Sequence, residues 1–167
     1  QIHAYYIIGE DPAQSDPDLP EIRETLSKID FVVIQDIFFN KTSEYADVIF
    51  PATAWGEHEA VYSACDRRFQ RVHKLVDPDP NVKTDWEILC LVATAMGYPM
   101  HYNNTEEIWD EMISLSPKYY GATYEKLEAN YGIQWPCYTR DPEDKGTKFL
   151  HEGATFNKPE GKGHFYF

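Results

Sequence analysis

Three short apolar runs, each ending in a polar cluster, constrain the fold of this chain more than any other feature. Ala4-Tyr-Tyr-Ile-Ile8 runs into Gly9-Glu-Asp-Pro12, Phe31-Val-Val-Ile34 into Gln35-Asp36, and Asp47-Val-Ile-Phe50 into Pro51-Ala52. Continuous apolar runs of this length suit strands covered on both faces, as in parallel sheets. Between the first two, Asp18-Leu-Pro-Glu21 opens a helix. Asp18 suits the N-cap, Pro20 sits in the first turn where its missing N–H does no harm, and Glu21 can reach back toward the cap. Ile22, Leu26 and Ile29 recur at helical spacing and give one apolar stripe to lay on a sheet. Strand, helix, strand with short connections predicts a right-handed βαβ unit, and the third run adds a third strand that Pro51 ends. The intervening Asn40–Ala46 is polar and long enough only for a single turn. If the strands are parallel, all three polar clusters open onto one edge, where open α/β sheets bind ligands.

The remaining chain reads as helical and loop-rich. Trp55–Val76 crowds charge of both signs, the pattern of a solvated or internally paired loop, and Asp77-Pro-Asp-Pro80 is a turn. Thr84-Asp-Trp-Glu87 matches a capping box, with Ile88, Leu89, Val92 and Ala95 as a buried stripe and Gly97 as the closing residue. Asn104-Thr-Glu-Glu107 starts a further helix through Trp109 and Ile113, and Thr123 starts a short one that Gly132 ends. Beyond Trp135, prolines and glycines crowd the chain until His164-Phe-Tyr-Phe167, which reads as a strand. The boundaries this predicts are 1–54 for the α/β part, 55–83 for a loop-rich excursion, 84–137 for helices and 138–167 for a loop-rich linker. The fold class expected is α/β: a partial Rossmann-like parallel sheet with an incomplete architecture, since three strands and one crossover helix leave apolar faces without partners.

Charge and cysteine usage narrow the functions. With 28 acidic against 15 basic residues the net charge is −13, which opposes nonspecific binding to nucleic acid or to an anionic membrane surface. Cys65, Cys90 and Cys137 are widely spaced without a Cys-x-x-Cys pair, so they read as reduced core thiols, not as metal or cluster ligands. No apolar run approaches a membrane span, and none has the form of a secretory leader. The chain opens on Gln1-Ile-His3 directly before a strand, so a piece of something longer is expected.

Several residues invite chemistry. Gly9 lets a backbone approach a ligand closely, with Asp11 and Ser15 beside it; the competing reading is an ordinary turn. Gln35-Asp36 stands at a strand's carboxyl end, where a carboxylate can accept two bonds from ribose hydroxyls or a guanine edge; the competing reading is a polar strand end. No Gly-x-Gly-x-x-Gly or Walker loop occurs, against an ordinary NAD or ATP fold. His58, flanked by Glu57 and Glu59, has Tyr62 where a metalloprotease helix needs its second histidine, so a salt-bridged loop histidine is the default. Asp85 at a first helical position is accounted for by the helix dipole alone. Cys65 has cationic neighbours but no assignable histidine base.

Taken together, Gly9-Glu-Asp-Pro12, Gln35-Asp-Ile-Phe38, Thr42 through Ala46-Asp-Val-Ile-Phe-Pro51, Trp55-Gly-Glu-His-Glu59, Asp66-Arg67, Phe69-Gln-Arg71 and Lys83-Thr-Asp-Trp86 resemble, in order and spacing, the molybdopterin oxidoreductase family. The resemblance covers nearly the whole chain. Met96–Thr105, Tyr120–Glu125 and Ile133–Cys137 look like the catalytic alpha subunits of formate dehydrogenases within it.

The resemblance implies a role in binding a bis(molybdopterin guanine dinucleotide) cofactor with molybdenum or tungsten. Asp11, Ser15, Gln35, Asp36, Ala52 and Asp85 match positions that line the guanine dinucleotide site; Ala52 stands where a hydroxyl is often found, so its contact would fall to the backbone. Residues 1–54 would be the C-terminal half of the dinucleotide-binding domain, 55–83 would lead toward an iron–sulfur region, and a β-barrel would follow 167. The family's metal ligand, substrate-side catalytic residues and [4Fe–4S] cysteines lie outside this stretch, so no catalytic or metal-binding residue is assigned here. The implied partners are the remainder of the alpha subunit, electron-transfer subunits and formate, in the cytoplasm, or in the periplasm if the parent carries an export signal. The alternatives are a stand-alone acidic interaction module of the same fold and, more remotely, a zinc hydrolase using Glu57 and His58.

Overall fold

A computed structural model describes residues 2–165. Two compact units are formed, one from the residues up to Glu59 with His73–Tyr102, the other from Ala60–Val72 with the residues from Asn103 onward.

In the first unit, β1 (Ala4–Ile8), β2 (Phe31–Asp36) and β3 (Val48–Pro51) form a parallel sheet in that order, with β2 central. Ile7 pairs with Ile34 and Ile34 with Ile49, which places these three on one face. That face carries a core of Ile7, Ala13, Leu26, Val32 and Ile34, with Ile22 and Ile29 packed against it. The helical spacing of Ile22, Leu26 and Ile29 therefore does what it predicts: α2 (Leu19–Leu26) lays its stripe on the sheet. Burial of each large aliphatic here contributes about 1.5–3 kcal/mol. Asp18 caps α2, accepting from the Glu21 N–H at 3.3 Å. A four-residue helix, α1 (Pro12–Ser15), precedes it, and a 3₁₀ turn at Thr42–Tyr45 is the single turn expected before β3.

Register is locked at β3 by Asp47, which accepts from the Val32 N–H at 2.7 Å and donates its own N–H to the Val32 carbonyl at 2.8 Å. Pro51 is the last residue of β3, as its missing N–H predicts. Ala52 continues the path as a parallel bridge to Lys83 while donating its N–H to Asp36 O. α3 (Asp85–Ala95) follows, its Glu87 carboxylate accepting from the Thr84 N–H at 2.9 Å and hydroxyl at 2.7 Å. Burial raises and the Thr84 donors lower the Glu87 pKa, with a net downward shift. The expected stripe is only partly buried: Ile88 is enclosed, but Leu89 and Leu91 are exposed. The reason lies in composition, since α3 is apolar on nearly all sides and a single contact surface covers only one of them.

The second unit begins where the sequence gives charge without periodicity. β4 (Ala60–Ser63) and β5 (Arg68–Val72) form an antiparallel hairpin, and β6 (Ile133–Gln134) adds to β5. Its core joins Phe69, Trp109, Ile113, Ala122, Tyr124, Leu127, Ile133 and Cys137. Trp109 and Tyr119 both meet the Phe69 ring edge-on, at 5.0 and 5.1 Å between centroids. α4 (Thr105–Ser114) and α5 (Tyr124–Ala129) start at the predicted caps, with Asn104 accepting from Glu107 N–H and Thr123 from Lys126 N–H. Arg67, in the hairpin turn, donates to the carbonyls of Trp135, Thr147 and Lys148 and holds the 135–148 segment on the hairpin.

Of the cysteines only Cys137 is a core thiol; Cys65 is exposed at the hairpin turn and Cys90 is half-buried. Burial, the larger influence, raises the Cys137 pKa against the opposing pull of Lys126. No strand forms at His164-Phe165, and Tyr166 and Phe167 lie outside the described residues. Among the described residues no helix is long and apolar enough to cross a membrane.

Candidate functional site

The carboxyl ends of β1, β2 and β3 do open onto one edge, and the six predicted site residues all stand on it or beside it. They fall into separate hydrogen-bonded groups.

Asp11 and Ser15 belong to the first. Asp11 Oδ1 accepts from the Thr42 N–H at 2.9 Å and the Thr42 hydroxyl at 2.6 Å, while Oδ2 accepts from the Lys41 N–H at 3.3 Å. Thr42 is fully buried and its hydroxyl also accepts from the Ala13 N–H at 3.0 Å, so the loop after β1 is pinned to the turn before β3. Ser15 donates to the Asp11 carbonyl at 3.0 Å. A cavity of about 450 Å³ opens beside this group, lined by Asp11, Gln14, Phe39, Asn40, Lys41 and Glu44.

Partial burial raises the Asp11 pKa, but the Thr42 and Lys41 donors outweigh it and the net shift is downward. A carboxylate held below its unfolded pKa stabilises the fold above that value and ceases to do so as pH falls through the folded one. The urea midpoint of the protein is therefore expected to fall from about pH 5 to about pH 3 more steeply than that of an Asp11→Asn variant. Parallel curves would show that Asp11 carries none of the acid sensitivity.

Asp36 also shapes a loop. Oδ1 accepts from the Ile37 N–H at 2.6 Å and the Phe38 N–H at 3.4 Å, and Oδ2 accepts from the Asn40 side-chain amide at 2.8 Å. Asn40 Oδ1 in turn accepts from Ser43 N–H and hydroxyl, both at 3.0 Å. This network holds Ile37, Phe38 and Phe39 outward, at 47%, 75% and 85% exposure. Ala52 is buried, its N–H committed to the Asp36 carbonyl at 3.1 Å.

Gln35 and Asp85, fifty residues apart in sequence, meet directly. The fully buried Gln35 amide donates to Asp85 Oδ1 at 2.6 Å and to the Asp85 carbonyl at 3.2 Å, and accepts from the Tyr6 hydroxyl at 2.6 Å. No described residue donates to Asp85 Oδ2. Burial and, second, the Asp85 charge raise the Tyr6 pKa, so the phenol stays a neutral donor. Gly9 completes the edge: it sits at φ +61°, donates its N–H to Gln35 O, and an added Cβ would meet nothing within 4 Å. Backbone and open space thus adjoin the carboxylate network.

The arrangement separates three carboxylates that look alike in sequence. Asp11 and Asp36 have both oxygens engaged by the protein, whereas Asp85 keeps one acceptor open on a half-buried, oriented carboxylate. An open carboxylate oxygen accepts from N–H and O–H groups and repels phosphate, so this corner suits a heterocycle edge with N–H donors or a ribose. Tyr6 and Thr42 are the site-building residues that sequence reasoning passed over as a strand residue and a turn residue. Only pairing across strands reveals them, although a polar hydroxyl beside apolar strand residues is the trace each leaves.

Glu57 and His58 are occupied elsewhere. Glu57 accepts from the Ala54 N–H at 2.8 Å, and His58 Nδ1 lies 2.8 Å from the Thr53 hydroxyl, so the histidine's partner is a hydroxyl and not the carboxylate expected. Among the described residues no three His, Cys, Asp or Glu side chains converge to hold a metal ion.

The profile of the molybdopterin oxidoreductases matches residues 1–95, the segment that builds this edge. The chain belongs to the molybdopterin oxidoreductase family. It is 50% identical over 166 residues to formate dehydrogenase H of Escherichia coli (strain K12), a match covering 99% of this chain and 23% of that protein. It is 39% identical over 167 residues to the F420-dependent formate dehydrogenase 2 subunit alpha of Methanococcus maripaludis, covering 99% of this chain and 24% of that one. The chain thus spans about a quarter of the length of these relatives. Among solved structures it is similar to acetylene hydratase from Pelobacter acetylenicus, with a TM-score of 0.66 at 21% identity over 95% of this chain and 21% of that one. That likeness shows the fold and confirms the mixed α/β class of this family member.

Proposed function

We propose that this chain is the part of a formate dehydrogenase catalytic subunit that grips the guanine dinucleotide of a bis(molybdopterin guanine dinucleotide) cofactor. The observation that carries the reading is Asp85: a carboxylate oriented by a buried glutamine, with one oxygen open, at the carboxyl edge of a parallel sheet in a family named for molybdopterin. The residues present fit such a group. Gly9 leaves space where any other side chain would project, and Asp85 Oδ2 is an acceptor without a protein donor.

In this reading Asp85 accepts from the guanine edge, Gln35 holds that carboxylate in place, and the backbone at Gly9 and Pro51-Ala52 allows close approach. Asp11 and Ser15 set the loop after β1, and Asp36 sets the loop after β2. When bound, the molybdenum or tungsten centre supplies the two-electron acceptor for oxidation of formate to carbon dioxide. The chain's own work is to bind and orient, and the metal ligands and the [4Fe–4S] cysteines belong to the remainder of the alpha subunit. Electron-transfer subunits would then take the electrons onward.

The test is Asp85→Ala in the full-length subunit, with guanine nucleotide released from the denatured protein measured per polypeptide alongside metal content. Loss of one charge-assisted contact is expected to lower retention by about tenfold or more. Full guanine and metal occupancy in that variant would remove the reading.

A further inference from the structure

We propose that Tyr6 is a positioning residue for cofactor recognition, acting through Gln35 on the carboxylate of Asp85. The inference rests on the reading of Asp85 as the guanine contact and concerns how that carboxylate is aimed.

A buried amide is ambiguous in orientation. A glutamine side chain carries an acceptor on one side and two donors on the other, and either end can face a given neighbour. Gln35 is fully buried, so water does not arbitrate. Asp85 does, because its carboxylate and its main-chain carbonyl only accept, and Tyr6, whose hydroxyl can donate or accept, satisfies the other end of the amide by donating to Oε1 at 2.6 Å. The NH₂ group faces Asp85, donating to Oδ1 at 2.6 Å and to the main-chain carbonyl at 3.2 Å. The opposite orientation would set an amide oxygen against a carboxylate.

The relay crosses the sheet. Tyr6 is in β1, Gln35 in β2 and Asp85 in the first turn of α3, so one hydroxyl fixes the geometry between three elements. Tyr6 is itself held by its stack on Phe50 of β3, with centroids 6.5 Å apart and planes inclined at 26°. The outcome is a carboxylate whose Oδ1 is committed and whose Oδ2 faces its ligand at a fixed orientation. Without the hydroxyl, the buried Oε1 loses its side-chain donor, and the amide that aims Asp85 is no longer held at its far end.

The test compares Tyr6→Phe, Asp85→Ala and the double variant in the full-length subunit, reading retained guanine nucleotide per polypeptide and thermal unfolding separately. Tyr6→Phe keeps the ring on Phe50 and is expected to lower guanine retention by about tenfold. On the Asp85→Ala background the same change is expected to add almost nothing, because the carboxylate it aims is gone. Gln35→Glu, which turns both ends of the relay into acceptors, is expected to reproduce the loss. Wild-type retention in Tyr6→Phe while Asp85→Ala loses its nucleotide would overturn the inference and leave the site reading standing. Equal further losses with and without Asp85 would reduce Tyr6 to a packing role and overturn it too. Wild-type retention in Asp85→Ala would instead sink the site reading, and the inference with it.

Discussion

Gly146→Ala is expected to lower the stability of the protein by about 2–5 kcal/mol, whereas Gly9→Ala costs only about 1–2 kcal/mol. Both glycines occupy the left-handed region, at φ +77° and +61°, so the backbone penalty of a side chain is similar at the two. What differs is the space. A Cβ at Gly146 would run into the Gln134 carbonyl oxygen and lie 2.6 Å from Ile133 Cγ2, both on β6, the strand that pairs with β5 beneath the aromatic core. A backbone carbonyl cannot swing aside as a flexible side chain can, so the 133–147 segment must shift and carry its bond from Thr147 N–H to Gln134 O with it. At Gly9 a Cβ meets nothing within 4 Å. Urea unfolding of the two variants measures the difference, and equal midpoints would show that backbone conformation alone sets the cost.

Trp109→Ala is expected to cost about 3–5 kcal/mol. The indole is 7% exposed, its edge-on contact with Phe69 is at the centre of the second unit, and its N–H donates to the Ala122 carbonyl at 2.6 Å. Trp109→Phe separates these parts: most of the packing stays, the Ala122 carbonyl loses its donor, and the expected cost is about 1–3 kcal/mol. If the phenylalanine variant were as unstable as the alanine variant, the hydrogen bond and not the ring volume would be the dominant contribution. Chemical denaturation followed by tryptophan-independent far-UV dichroism distinguishes the two outcomes.

Legibility in the sequence follows the range of the interactions concerned. Asp18 with Glu21, Thr84 with Glu87, Asn104 with Glu107 and Thr123 with Lys126 are bonds across three residues, and each was readable because donor and acceptor lie in one window. The hairpin at 60–72 was not readable: in β5 Arg71 falls on the face of Phe69 and Val72 on that of Arg68 and Gln70, which breaks the alternation that marks a strand, and the pairing that stabilises β5 comes partly from Ile133 and Gln134, more than sixty residues away. The same limit applies to α3, where the apolar positions were visible but not which side is covered.

The site divides along the same line. The three apolar runs, their polar ends and the acidic and amide side chains on them follow from the sequence alone, because strand formation and the direction of the chain depend on local apolar content and short crossovers. Sequence also places Asp11 and Asp36 near one edge, and the family resemblance adds Asp85, without telling the three apart. Tertiary structure decided that both oxygens of Asp11 are engaged by Thr42 and Lys41, that both oxygens of Asp36 are engaged by its own loop and Asn40, and that Asp85 has one oxygen bonded by Gln35 and the other without a donor among the described residues. The physical reason is that a carboxylate's availability depends on which donors surround it, and here two of those sets come from residues about thirty and fifty positions distant, brought close only by the folded sheet.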